Sequence, residues 1–213
     1  MPGRRRGPGA VRGASLRQAL WHPHVNRLGA PPALRDWLTG GGSLTARLVA
    51  HSTAFRVQRL HQRRAMCLAD EAGVLGLRRA VQVLEREVLL RCDGVPVVFA
   101  HTVVPLSATA SDWPLFGGLG ERSLGSTLFY DPQVRRGELE FARIRAGHPL
   151  MQRARAALGV EGDTVFFARR CLYRRHRGSL LVTEVFLPPV LALNEQVNIS
   201  SKNTSKNTSK NTK

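Results

Sequence analysis

The sequence predicts an α+β domain in which a few helices pack on a single sheet of about six antiparallel strands. Three observations support this fold class. Apolar residues recur at every second position through six stretches, which is the period of a half-buried strand. Short turn sequences connect two pairs of these stretches, which favours hairpins. Segments with helical spacing lie between and before the strands.

The six predicted strands are ordinary in length and close together along the chain. Their ranges are 53–64, 81–92, 95–104, 138–144, 164–175 and 180–187. Asp93-Gly94 is a strong two-residue turn signal between the second and third strands, and residues 176–179, which include Gly178, are a weaker one between the last two. Both turns indicate antiparallel hairpins.

The predicted helices are short. They cover residues 32–38, a segment after Ser43, residues 123–129 and residues 150–158. Ser43 is a suitable N-cap for a helix that carries Leu44 and Leu48 one turn apart.

Composition indicates one domain with appended tails. The chain has 213 residues, of which 43% are hydrophobic, and this is enough to form a core. Residues 1–14 are rich in Gly, Pro and Arg and are predicted to be disordered, and residues 193–213 form a polar tail in which Ser-Lys-Asn-Thr repeats from Ser201. We expect the folded domain to span 15–192.

Cysteine use and hydropathy suggest a cytoplasmic protein. Cys67, Cys92 and Cys171 lie far apart and lack the spacing of metal ligands, which is typical of free thiols in a reducing compartment. No apolar run is long enough to span a bilayer, and the Arg-rich start lacks the apolar stretch of a secretory signal.

One charged residue lies on the apolar face of the second predicted strand. Side chains alternate along a strand, so Arg86 points with Leu84, Val88 and Leu90, whereas Glu85, Glu87 and Arg91 share a face expected to be solvated. A guanidinium on a core face is costly unless it meets a carboxylate or an anionic ligand.

Glu184 is likewise a charged residue on the apolar face of its strand, the last of the predicted strands. It is the only ionisable group in residues 180–187 and shares a face with Val182 and Phe186. Such a carboxylate must be paired, or its pKa must rise. An internal Arg86–Glu184 ion pair, a solvent-facing Glu184 and a ligand site all satisfy the pattern.

The segments around these residues resemble the chorismate pyruvate-lyase family of ubiquinone biosynthesis. Arg-Glu-x-Leu-Leu is followed by Thr-Val-Val-Pro, and Thr-Glu-x-Phe-Leu-Pro comes near the end. The matching segments, in order, are Asp36-Trp37-Leu38, Ser43-Leu44-Thr45, 86–107, 123–129 and 180–188.

This resemblance implies a six-stranded antiparallel sheet with an internal ligand site under helical flaps. Arg86 would hold a ring carboxylate through paired hydrogen bonds, and Glu184 would contact the ring hydroxyl at the opposite end. Leu124 would contribute a main-chain N–H to the carboxylate. Leu44, at a position that is Met in the best-known family member, would line the pocket.

His101 departs from the family pattern, because the best-known sequence carries Arg just before Thr-Val-Val-Pro. If that cation binds the enolpyruvyl carboxylate, this chain must use an imidazole or another arginine instead. An ordinary histidine of the sheet is the alternative, and we do not include His101 among the catalytic residues.

The implied activity is conversion of chorismate to 4-hydroxybenzoate and pyruvate, the first committed step of ubiquinone biosynthesis. We expect Arg86 and Glu184 to be the catalytic residues, and we expect no metal or other cofactor, because aromatisation makes this elimination favourable. We expect chorismate and 4-hydroxybenzoate as small-molecule partners of a monomer, without a membrane span and without nucleic acid.

Two other functions remain open. A non-catalytic sensor domain of GntR-type regulators resembles the same fold, but about 25 residues before Pro31 cannot hold a winged helix-turn-helix. A formal charge of +17 and the basic clusters 169–170 and 174–177 suggest nucleic acid, yet no stacking aromatics interleave with them. We favour a solvated basic face that steers a dianionic substrate.

Overall fold

The computed structural model describes residues 17–159 and 165–193. Within them lies one six-stranded antiparallel sheet with helices packed on it, which confirms the predicted α+β class. The predicted extension 1–14 and, apart from residue 193, the predicted tail 193–213 lie outside the described residues.

The strands follow the predicted stretches closely. They are β1 (Phe55–Met66), β2 (Gln82–Cys92), β3 (Val95–Pro105), β4 (Val134–Ile144), β5 (Phe166–Arg175) and β6 (Gly178–Phe186), arranged in the order β1-β2-β3-β6-β5-β4. β4 begins earlier than the alternation indicated, because its register with β5 shifts between Arg136 and Leu139 and the bulge interrupts the period.

The two hairpin turns have the backbone conformation that their sequences favour. Asp93 and Gly94 both adopt positive φ, at 50° and 81°, as a type I′ turn requires. The Asp93 carboxylate accepts hydrogen bonds from the main-chain N–H groups of Thr53 and Ala54, which ties the turn to the start of β1. His176 has a φ of 52° in the turn between β5 and β6.

In residues 17–159 and 165–193, four α-helices connect or cover the strands. They are α1 (Pro32–Thr39), α2 (Leu44–Ala50), α3 (Leu124–Leu128) and α4 (Pro149–Leu158). Short 3-10 helices occur at Val25–Leu28, Leu106–Ala108, Pro114–Phe116 and Pro188–Leu191. The Ser43 hydroxyl accepts a hydrogen bond from the Ala46 N–H at 3.3 Å, which confirms the predicted cap of α2.

Both faces of the sheet are covered. On the front face, which carries Val88 and Ala100, the core includes residues of α1 and α2. On the back face, which carries Leu89 and Phe99, the core includes residues of α4. The segment 67–80 adds a smaller apolar cluster on that side.

Two expectations about solvated charge were wrong. Glu85 and Glu87 are buried on the back face, because α4 and segment 67–80 cover the strand surface that alternation alone left open. Arg169 and Arg170 are likewise buried rather than part of a solvated basic face, and they pair with Glu184 and Glu140.

The three cysteine side chains lie in the protein interior. Cys67, Cys92 and Cys171 are free and buried, as predicted for free thiols. Within the described ranges, none of the helices has the length and apolar character needed to cross a membrane.

Candidate functional site

A cavity lies between the front face of the sheet and the helices α2 and α3. Its empty volume is about 640 Å³, including the space at its mouth. The strands supply the floor, whereas Leu44 and Thr45 of α2 and Leu124, Gly125 and Leu128 of α3 line the opposite side. The floor carries charged residues on a surface that is otherwise largely apolar.

Strand register arranges the floor in rows that run across the sheet. Arg86 begins the central row, whose other members are Thr102, Val182, Cys171 and Leu139. On one side of it lies a row formed by Val88, Ala100, Glu184 and Arg169. On the other side, Tyr173 of β5 pairs with Arg136 of β4. Arg86, Glu184 and Arg136 therefore reach the cavity from three different rows.

Arg86 is a buried cation that has no carboxylate partner among the described residues. One of its terminal nitrogens, Nη2, donates to the main-chain carbonyls of Gly120 and Arg122, at 3.0 Å each. Its Nε is buried and has no hydrogen-bond partner. Burial, and then the nearby charge of Arg59, lower the pKa of Arg86 to about 10, so the group is still charged at neutral pH. Such a group is suited to an anionic ligand.

Glu184 forms an ion pair with Arg169 and not with Arg86. Arg169 Nε lies 2.5 Å from Glu184 Oε2, and only 19% of the Glu184 side chain is exposed. Arg169 Nη1 also donates to main-chain carbonyls at the end of α1, those of Trp37, Leu38 and Gly40. These contacts fix the carboxylate in the cavity and leave Arg86 available, so the internal Arg86–Glu184 ion pair does not form.

The predicted residues Leu44 and Leu124 both line the cavity, one from each covering helix. The two helices meet at their N-terminal ends, where the hydroxyls of Thr45 and Ser123 lie 2.6 Å apart in a hydrogen bond. Gly125 faces this junction closely, since a Cβ there would lie 3.0 Å from the Thr45 hydroxyl oxygen. All four predicted binding residues thus surround the same cavity.

Arg136, Tyr173 and Cys171 also line the cavity, and sequence reasoning did not select them. The Arg136 guanidinium lies over the Phe129 ring, 5.6 Å from its centroid, and donates to the Gly41 carbonyl. Burial, then the neighbouring Cys171 and Glu184, raise the pKa of Tyr173, so its hydroxyl is neutral. Alternation along β5 places Cys171 and Tyr173 on the same face as Arg169, and this pattern could have identified those two residues from the sequence.

The family model for chorismate lyase matches residues 15–197 of this chain. The chain belongs to the chorismate lyase family. A relative from Cupriavidus metallidurans, named as a probable chorismate pyruvate-lyase, is 46% identical over 88% of each chain. One of the same name from Ralstonia nicotianae is 52% identical over 71% of this chain and 80% of its own length.

Similar solved structures are more distant than these chorismate lyase relatives. The effector domain of PhnF from Mycobacterium smegmatis is 21% identical, over 70% of this chain and 90% of that chain, with a TM-score of 0.48. The ligand-binding domain of a putative GntR-family regulator from Bordetella bronchiseptica is 18% identical, over 64% and 86%, with a TM-score of 0.46.

In this member of the chorismate lyase family, His101 lies on the back face, away from the cavity. Its Nδ1 lies 3.0 Å from Glu87 Oε1, and its Nε2 lies 2.9 Å from Glu71 Oε1. Burial alone would lower its pKa, but the charges and hydrogen bonds of Glu71 and Glu87 raise it to about 10. His101 therefore does not line the cavity, and it is an ordinary buried histidine of the sheet.

Three side chains of the kinds that bind metal ions lie close together in the same back-face cluster. One ligand atom each of His61, Glu85 and Glu87 lies within 4.8 Å of the others. Arg153 of α4 already donates to both glutamates, at 2.7 and 2.6 Å. Burial opposes ionisation of Glu87, but His101 and Arg153 lower its pKa to about 2. Both glutamates of this cluster are therefore already paired with Arg153.

Proposed function

We propose that this chain is a chorismate pyruvate-lyase that converts chorismate to 4-hydroxybenzoate and pyruvate. The observation that carries the proposal is Arg86, a buried guanidinium with no carboxylate partner among the described residues, in a cavity that also holds a fixed carboxylate. Membership of the chorismate lyase family supplies the substrate class.

Arg86 and Glu184 would bind opposite ends of the ring. The N–H groups of Arg86 that the Gly120 and Arg122 carbonyls leave free can donate to the ring carboxylate. Glu184, held in place by Arg169, can accept a hydrogen bond from the ring hydroxyl. The main-chain N–H of Leu124 would add a donor to the carboxylate, and Leu44 would pack against the ring.

The reaction needs positioning more than chemical activation. The C3–O bond of chorismate breaks, the hydrogen on C4 leaves as a proton, and the ring becomes aromatic. The bonding electron pair goes to the enolpyruvyl oxygen, and protonation of the methylene carbon completes pyruvate. Neither water nor an electron acceptor is consumed, so the residues of the cavity need only hold the reactive conformer and exclude solvent.

The helices α2 and α3 would act as flaps over the bound ring. Both line the cavity, and the Thr45–Ser123 hydrogen bond joins them. Opening that junction would release the aromatic product, so product release can limit turnover. The 4-hydroxybenzoate would enter ubiquinone biosynthesis. We expect the enzyme to be cytoplasmic and monomeric.

The proposal is tested by incubating purified protein with chorismate, in the presence of a chelator and without added cofactor. We expect equimolar 4-hydroxybenzoate and pyruvate. Arg86→Ala and Glu184→Gln should each lower kcat/KM by roughly 100-fold or more, because each removes a charge-assisted contact inside a dry cavity. Arg86→Lys should recover little, since an ammonium cannot reproduce paired bonds.

Arg174→Ala is the matched control, because Arg174 is exposed on β5. It should retain wild-type kcat/KM. Thermal unfolding of every variant separates loss of catalysis from loss of fold. Wild-type protein that leaves chorismate unchanged would refute the proposed activity. Full activity in folded Arg86→Ala and Glu184→Gln would refute the residue assignment while leaving the activity in place.

A further inference from the structure

The charges that line the cavity do not balance. Among the described lining residues there are three arginines, Arg86, Arg136 and Arg169, and one carboxylate, Glu184. Glu184 is paired with Arg169. Neither Arg86 nor Arg136 has a carboxylate within ion-pair distance in the described part of the chain. Two positive charges are therefore uncompensated, whereas one would suffice for a monocarboxylate such as 4-hydroxybenzoate.

The surroundings of Arg136 resemble those of Arg86 in one respect. Its Nε is buried and has no hydrogen-bond partner, and its guanidinium contacts the Gly41 carbonyl and the Phe129 ring. It also hydrogen-bonds the side chains of Tyr173 and Cys171 on β5, whose pKa values are raised by burial, so both groups are neutral. A guanidinium placed among a carbonyl, an aromatic ring and neutral groups retains most of its capacity to bind an anion.

The strand order separates the two free cations. Arg86 is on β2 and Arg136 is on β4, with β3, β6 and β5 between them. Arg136 also lies on the side of the central row opposite to Glu184. A ring carboxylate at Arg86 and a ring hydroxyl at Glu184 therefore leave Arg136 for a third substituent.

We infer that Arg136 is a specificity-determining residue that binds the enolpyruvyl carboxylate, the second anionic group of a dicarboxylate substrate. This inference rests on the proposed chorismate pyruvate-lyase activity. Arg136 holds the side chain that leaves, and it keeps that carboxylate when the C3–O bond breaks and the bonding pair moves to the enolpyruvyl oxygen. The aromatic product, which has lost this carboxylate, no longer contacts Arg136.

The test compares a dicarboxylate with a monocarboxylate in the same variants. Arg136→Gln should lower kcat/KM for chorismate roughly 10- to 100-fold, as expected for the loss of a charge-assisted bond, and chiefly through KM. The Kd for 4-hydroxybenzoate should change less than about twofold. Arg136→Lys, which keeps the charge, should recover part of the chorismate activity and is the second variant if Arg136→Gln does not fold.

Arg135→Gln is the matched control, because Arg135 is the preceding, exposed residue of β4. It should match wild type in both measurements. Equal losses of chorismate turnover and 4-hydroxybenzoate binding in Arg136→Gln would indicate a structural role and overturn the inference, as would unchanged kcat/KM in either Arg136 variant. Wild-type protein that does not consume chorismate would instead refute the proposed function.

Discussion

At the scale of single residues, His101 shows how a fully buried cation can be stabilised by its neighbours. The imidazole is 0% exposed and lies between Glu71 of segment 67–80 and Glu87 of β2. Glu85 and Arg153 complete the surrounding charges. Because the folded protein raises the pKa of His101 to about 10 from an ordinary value of 6.5, folding and protonation of His101 are coupled.

This coupling predicts the direction in which stability changes with pH. The stabilisation is complete below pH 6.5, where the unfolded chain is also protonated, and is lost as pH rises towards 10. Between pH 6.5 and about 8.5, the free energy of unfolding should fall by up to roughly 1.4 kcal/mol per pH unit. Urea unfolding measures the slope, and the part from pH 6.5 to about 7.5 reports His101 with little contribution from cysteine, whose ordinary pKa is about 8.5.

The control for this experiment is His176→Asn, since His176 is exposed and Asn tolerates its left-handed backbone. The control should keep the wild-type slope, and His101→Asn should be less stable with a smaller slope. A wild-type free energy that is independent of pH over this range contradicts a protonated His101 in the folded state.

Alternation along a strand indicated that Arg86 and Glu184 each share a face with apolar residues, and in the structure both lie on the front side of the sheet. It did not reveal their partners, because those depend on strands that are distant in sequence. Arg169 pairs with Glu184 only because β5 and β6 are neighbours in that register. Arg136 was not predicted as a cavity residue because the bulge in β4 interrupts the alternation of side chains along that strand.

At the scale of secondary-structure elements, the junction of α2 and α3 is closely packed. A Cβ on Gly125 would lie 3.0 Å from the Thr45 hydroxyl oxygen and 3.3 Å from that of Ser43. Both oxygens belong to the N-terminal end of α2, and the first already bonds Ser123. A Cβ at Gly125 therefore requires these hydroxyls, or the helix that carries them, to shift by a few tenths of an ångström.

Gly125→Ala should reduce chorismate turnover more than it reduces stability. Alanine favours a helix over glycine by about 1 kcal/mol, which offsets part of the crowding. A displacement of the covering helices by a few tenths of an ångström should lower kcat/KM by roughly tenfold. Steady-state kinetics together with thermal unfolding distinguish the two effects.

Gly118→Ala serves as the comparison, because nothing lies within 4 Å of a Cβ there and its φ is not positive. It should leave kcat/KM unchanged. Equal activity in the two variants would mean that the α2–α3 junction does not need close contact.

The sequence was informative about which elements form and less informative about what covers them. Six strand stretches and the Asp93-Gly94 turn follow from local patterns, and the structure contains both. Burial of Glu85 and Glu87 could not be predicted, since it depends on α4, whose Arg153 is 66 residues from Glu87 along the chain. Long-range packing decides such cases.

At the scale of the whole molecule, the formal charge of +17 creates a field that attracts anions. Arg59 adds positive charge near Arg86, and this charge lowers the pKa of Arg86. A substrate with two carboxylates should be enriched near the cavity at low ionic strength, because salt then screens the protein's positive charge only weakly.

The kcat/KM for chorismate should therefore fall several-fold as NaCl rises from roughly 0.02 M to 0.3 M. The change should appear mainly in KM, because groups inside the cavity are screened less than those on the surface. A neutral solute such as sucrose at matched osmolality should have little effect. A KM that is independent of salt would show that surface charge does not assist capture.

The two main-chain carbonyls that hold one side of Arg86 have a consequence for selectivity. Main-chain carbonyls carry no net charge and do not titrate. The hydrogen bonds from the Arg86 guanidinium to Gly120 and Arg122 therefore hold its orientation over a wide pH range. A carboxylate in their place would have to be displaced by each incoming acid. The backbone carbonyls thus orient the Arg86 guanidinium without neutralising its charge. The cation is therefore in position to bind a carboxylate before any ligand arrives.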